Sequence, residues 1–130
     1  MEKNKINISK IETFLYGVID NVVSDNTYVG TLPDTIDAKW KDMCLIDCSS
    51  SVSDYEAYGE GIVHILLYAK PMQNGSKNVA IMSKLEAKLN EVIEKNTSRE
   101  YHISRLNTYT DYDEKRKWHC NIVALILKIY

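Results

Sequence analysis

Three cysteines carry the most reactive side chains of this chain, and their spacing bears first on any chemistry. Cys44 and Cys48 are separated by three residues, and Cys120 follows His119 near the end of the sequence. A structural zinc site needs a second ligand pair beside a close cysteine pair, and none is present. An odd number of cysteines also argues against a disulfide framework. We therefore interpret all three as small buried hydrophobic residues.

A nucleophilic cysteine needs a histidine within hydrogen-bond reach. Cys120 could meet His64 or His102 if their strands were neighbours, although no catalytic motif surrounds any of them. His64 lies between Val63 and Ile65, which is typical of an ordinary sheet residue.

Acidic and glycine-rich segments give no stronger indication of a site. The carboxylates group as Asp54 with Glu56, and as Asp111, Asp113 and Glu114. The second group lacks the spacing and the glycine of a calcium loop. Gly59-Glu60-Gly61 precedes no helix, so it is not a phosphate-binding loop. We predict that the chain is not an enzyme and has no catalytic residue, no metal site and no cofactor.

Aromatic residues gather in or beside the predicted loops and are the candidate contact residues. Such residues are enriched at protein interfaces. They could equally cover the ends of the core, and stacking on single-stranded nucleic acid would also use them. The predicted interface residues are Tyr55, Tyr58, Tyr109, Tyr112 and Trp118, within the segments Ser49–Gly61 and Tyr109–Trp118.

Length and charge limit the classes of protein that fit. A chain of 130 residues corresponds to one domain, here 1–130. The net charge is -2 and the charges are interspersed, unlike the basic surface of a nucleic-acid-binding protein. No signal peptide is evident at the start, and the longest apolar run, Ile122–Leu127, is too short to span a bilayer. We expect folding in a reducing cytoplasm, without membrane or specific nucleic-acid binding.

Two segments have the periodicity of amphipathic helices. The first has Ser9 as its predicted N-cap and Glu12 closing a capping box, and an apolar stripe runs on to Val23. The second is expected at about Lys77–Lys95, capped by Ser76 or Asn78. The stretch 26–41 is predicted to be a loop with an extended piece.

Four segments have the composition of strands: 43–48, 62–69, 100–109 and 118–129. The last two form a predicted hairpin around a charged tip at 110–117. The order is thus α-β-β-α-β-β, an α+β fold with both helices on one face of a mainly antiparallel sheet of about four strands. Strands 62–69 and 118–129 are apolar on both sides, so the other face must meet a loop or another subunit.

The order of elements resembles the tail-terminator and tail-completion (neck) proteins of long-tailed bacteriophages. The resemblance rests on the first helix, Gly30-Thr31-Leu32-Pro33, the strand pair, the helix after an Asn-rich turn, and the final strand through His119-Cys120-Asn121-Ile122-Val123. It implies a virion structural protein, made in the host cytoplasm, that forms a homo-oligomeric ring, typically a hexamer, on tail-tube or neck proteins. The alternatives are a small cytoplasmic binding or adaptor module, and an enzyme using Cys120 or His64.

Overall fold

The computed structural model describes residues 8–48, 52–54 and 58–130. Within these residues it contains two helices and six strands, which confirms the α+β class. In chain order the elements are α1 (Ile8–Ile19), β1 (Thr27–Val29), β2 (Asp42–Asp47), β3 (Val52–Asp54), β4 (Gly59–Ala69), α2 (Val79–Lys95), β5 (Tyr101–Asp113) and β6 (Trp118–Ile129).

The sheet is mainly antiparallel, but it has six strands rather than the predicted four or so, and one of its pairs is parallel. Its order is β1-β2-β4-β6-β5, and β3 pairs with β4 beside that path. β1 runs parallel to β2, with Thr27 opposite Cys44, whereas the other pairs are antiparallel. β1 and β3 each have three residues, too few for an alternating pattern to be read from the sequence.

One face of the sheet carries the larger core, and we call it the helix face. Alternate strand residues such as Ile46, Ile65 and Leu125 point to this face and are almost completely buried. Both helices contribute to the same cluster, for example through Leu15 and Leu89. At the edge of the cluster the rings of Phe14 and Tyr101 meet edge to face, with centroids 4.7 Å apart. Burial of this kind stabilises by roughly 1.5–3 kcal/mol per large aliphatic side chain.

The opposite side, which we call the second face, is closed by a loop at one end. A smaller cluster there joins Met43, Leu45, Tyr68, Trp118, Cys120 and Ile122 to Leu32, with Tyr28, Ile36, Trp40 and Leu66 packed against it. Arg116 ties the hairpin end to this loop, donating to the carbonyl of Pro33 at 3.1 Å and pairing with Asp113 at 3.1 Å. The segment 30–41 is therefore a cover for the sheet.

The helix ends differ in part from the predictions. Ser9 lies inside α1 and its carbonyl accepts from Thr13 Oγ1 at 2.8 Å, so the predicted N-cap is wrong. The helix also ends at Ile19, before Val23, because Asn21 adopts a positive φ of 62°. Asn78 does cap α2, its side chain accepting from the backbone N–H of Ile81 at 3.2 Å.

The final hairpin is longer than predicted. Pairing extends to Asp113 opposite Trp118, so the first half of the predicted loop 110–117 is strand and only 114–117 form the turn. The register shifts between Arg105 and Asn107, which leaves Leu106 as the extra residue of a bulge. A bulge reverses the alternation of the strand, so residues on either side of Leu106 follow different face patterns.

Candidate interaction surfaces

The predicted contact residues do not form one patch. Tyr55 lies outside the described residues. Trp118 is only 7% exposed and packs in the cluster on the second face, so its contacts are within the chain. Tyr58, Tyr109 and Tyr112 remain accessible in part.

Tyr58 directly precedes β4 and contacts the last residues of the chain. Its ring centroid is 6.0 Å from that of Tyr130, and Lys128 Nζ lies 5.4 Å from the centre of the Tyr58 ring. A cation held over an aromatic face is attracted by the ring quadrupole, by about 0.5–1 kcal/mol at an exposed site. This half-buried tyrosine is thus held in place by its neighbours.

Tyr109 and Tyr112 are strand residues, not loop residues, and they occupy opposite sides of the sheet. Tyr109 pairs with Ile122 and is 46% exposed on the second face. Tyr112 pairs with His119, and the two rings meet edge to face with centroids 4.9 Å apart. His119 Nε2 lies 3.1 Å from the carbonyl oxygen of Gly75, so this pair adjoins the turn before α2.

Part of the second face is left without a cover by the described residues. Beyond the loop 30–41, the larger side chains on this side are only half-buried, in contrast to the helix face. Strand alternation places these residues on the same side as Leu66 and Ile122. We call this region the open face, and it consists of Tyr58, Ile62, His64, Ile126 and Lys128.

β1 and β5 end the main strand order of the sheet, and each pairs with a single neighbour among the described residues, as does the short strand β3 beside β4. β5 runs over 13 residues, most of them exposed. Leu106 and Tyr109 are large apolar side chains on it, 53% and 46% exposed. A long, accessible outer strand can pair with another chain.

A groove lies between α1 and β1. It has a volume of about 600 Å³ and is lined by Ser9, Glu12, Thr13, Tyr16, Thr27, Tyr28 and Val29. A hydrogen bond with Asp20 is the main cause that raises the pKa of Tyr16. Burial raises the pKa of Tyr28, so both phenols stay protonated and can donate hydrogen bonds at neutral pH. The sequence did not reveal this groove, because it depends on the three-residue strand β1.

The cysteines are buried and free, as predicted from their contexts. Burial raises the pKa of Cys44, Cys48 and Cys120 from 9.0 to about 12. Cys120 has Tyr68 and Asp111 as its cross-strand neighbours, whereas His64 pairs with Ala124 and His102 with Lys128. The structure therefore does not bring together the proposed cysteine–histidine pairs.

Within the described residues, no group of three or more His, Cys, Asp or Glu side chains is arranged to hold a metal ion. No described helix is both long enough and apolar enough to cross a membrane. In sequence, no family model matches the chain, and no curated protein matches it significantly.

Proposed function

We propose that this chain is a virion structural protein, a ring-forming subunit at the tail end or the neck of a long-tailed bacteriophage. The proposal rests on the resemblance in the order of elements together with one structural observation. That observation is the strand order of the sheet, which ends with β1 at one edge and β5 at the other. A ring with heterologous contacts needs two different surfaces on each subunit.

The composition of β5 supports its role as one of those surfaces. Its exposed apolar side chains, Leu106 and Tyr109, stand on an edge that most monomeric proteins protect with charge or a cover. The open face lies on the same side of the sheet as Tyr109, and it adds half-buried apolar area at Ile62 and Ile126. Contacts between subunits, or with tail-tube and neck proteins, would cover this area.

Electron microscopy of the purified protein, with and without tail tubes, tests the proposal. We expect closed rings, or caps on the ends of the tubes. Protein that stays monomeric at high concentration and adds to no tube would contradict it.

A matched pair of variants tests whether β5 forms the contact between subunits or with the tail tube. Leu106→Arg places a charge on the outer edge of β5, and Met72→Arg places the same charge at a similarly exposed site, 54% against 53%. We expect the Leu106 variant to lose rings and tube caps, and the Met72 variant to keep them. Equal behaviour of both variants would remove β5 from the interface.

An adaptor module is the second candidate, and the groove between α1 and β1 favours it. An extended partner segment could pair with the edge of β1 and lay side chains into the groove, as in other strand-addition complexes. Thr13 lines the groove and is exposed. If the chain is an adaptor, Thr13→Arg should abolish capture of a partner protein from source cells. Loss of rings with capture retained would instead argue for the virion role.

A further inference from the structure

A second, smaller cavity lies between the start of β2 and the side of α2, away from the surfaces described above. Its volume is about 260 Å³, and its lining consists of Lys41, Asp42, Ile81, Lys84, Leu85 and Lys88. The α2 members are spaced three, one and three residues apart, so they share one side of the helix. A polar recess of about 60 Å³ adjoins it, sharing Asp42 and Lys88.

The charge around this cavity is opposite to that of the whole chain. Three lysines and one aspartate give +3 - 1 = +2, whereas the 130 residues together carry -2. Among the described residues, no carboxylate forms an ion pair with Lys41, Lys84 or Lys88. The apolar wall includes Leu85, which is only 1% exposed. A net positive charge beside such a wall favours an anion.

Asp42 is the residue that makes the cavity selective. Ser24, itself 4% exposed, donates its hydroxyl to Asp42 Oδ1 at 2.5 Å. The Asn26 side-chain amide donates to the Asp42 backbone carbonyl at 3.1 Å. No group of the described residues donates to Oδ2, so that oxygen is available as an acceptor. A carboxylate acceptor beside three lysines suits an anion that carries a proton of its own.

We propose that this cavity binds a hydrogen phosphate group, either the free ion or a small phosphomonoester. The negative oxygens would accept from the three lysines. The remaining P–OH would donate to Asp42 Oδ2. Sulfate has the same shape and charge but carries no proton at neutral pH, so Asp42 would repel it. The site is independent of the proposed ring function.

Titration of the full chain with inorganic phosphate, glycerol phosphate and sulfate at constant ionic strength tests the site. Amide chemical shifts of 41–42 and 81–88 report binding, and we expect saturation with a Kd in roughly the millimolar range. Sulfate should bind at least about tenfold more weakly than phosphate. The tighter of the two phosphate ligands identifies the source. Absence of saturation with both, or equal affinity for phosphate and sulfate, would overturn the proposal.

Charge-matched variants distinguish a localised phosphate site from general electrostatic attraction of phosphate to the protein. The double variant Lys84→Met/Lys88→Met should weaken phosphate binding at least about tenfold. Lys39→Met/Lys95→Met removes the same charge elsewhere and should leave it nearly unchanged. Equal losses in both pairs would contradict a localised site.

Asp42→Asn keeps the size of the side chain and an acceptor for Ser24, but it removes the negative charge. The preference for phosphate over sulfate should fall to near unity in this variant. Thermal unfolding of each variant checks that it is folded. An unchanged preference in folded Asp42→Asn would overturn the role of Asp42.

Discussion

The two faces of the sheet are formed by the same strands but are covered in different ways. On the helix face, α1 and α2 enclose side chains such as Ile65 and Leu125 almost completely. On the second face, the loop 30–41 covers only the end near Trp118, and side chains such as Ile62 and Ile126 remain half-buried. Apolar residues on both sides of a strand thus indicate that both sides need a cover. They do not indicate whether the same chain provides it.

The difference in cover separates residues that stabilise the fold from residues that are available for contacts with another molecule. Residues on the helix face exclude water within the single chain, so their loss should destabilise the fold. Residues on the open face are only half removed from water, so their apolar area is available for another molecule. Substitutions on the two faces should therefore have unequal effects on unfolding.

Ile65 and Ile62 provide the largest contrast, because they are the same residue type on one strand and face opposite sides. Ile65 is 0% exposed, whereas Ile62 is half-buried. We expect Ile65→Ala to lower the free energy of unfolding by about 4 kcal/mol and Ile62→Ala by about 1 kcal/mol. Urea denaturation measures both. Similar losses would show that the two faces are covered to the same extent.

The two tryptophans test whether the loop is a true cover on the second face. Trp118 is 7% exposed, and Trp40 packs half-buried at the margin of the same cluster. Trp118→Ala should cost about 3 kcal/mol of unfolding free energy, and Trp40→Ala about half of that. Denaturation followed by far-ultraviolet circular dichroism reports both. A negligible cost for Trp118 would mean that the loop does not hold this end closed.

The cysteine thiols on the two faces should ionise over the same pH range, because burial is the largest cause of the raised pKa in each of them. Cys44 lies on the helix face and Cys120 on the second face, and the pKa of each is raised from 9.0 to about 12. A thiol that ionises first in the unfolded chain stabilises the fold below pH 9. That contribution is lost as the pH rises from 9 towards 12.

The loss per thiol is at most about 1.4 kcal/mol per pH unit. Unfolding free energies at several pH values measure it, with Cys44→Ala as the variant that removes one contribution. Alkylation by iodoacetamide should also be slow in the folded protein and fast in urea. Rapid modification of one native thiol would identify a reactive site and reopen the enzymatic alternative.

The features of the fold that rest on a periodic pattern of many apolar residues could be predicted from the sequence. The alternation of Met43 and Leu45 against Cys44 and Ile46 places them on opposite faces, which the two core clusters confirm. The stripes of both helices were also visible, because periodicity extends over several turns. These signals come from many residues and survive local exceptions.

Features decided by a few residues or by distant partners were not predictable. β1 has three residues and exists because β2 offers a parallel neighbour. Leu106 disturbs the alternation of β5 because it is the extra residue of a bulge. Trp118 was assigned to the contact surface, yet the loop 30–41, far away in sequence, buries it. The lysine cavity likewise depends on how α2 lies beside β2.

Amide hydrogen exchange along β5, compared between the free protein and protein added to tail tubes, tests the interaction account most directly. Among the described residues β5 pairs with β6 alone, so the outward amides of Tyr101–Asp113 should exchange quickly in the free chain. We expect these amides to become protected on assembly. Assembled protein in which β5 exchanges as fast as in the free chain would contradict it.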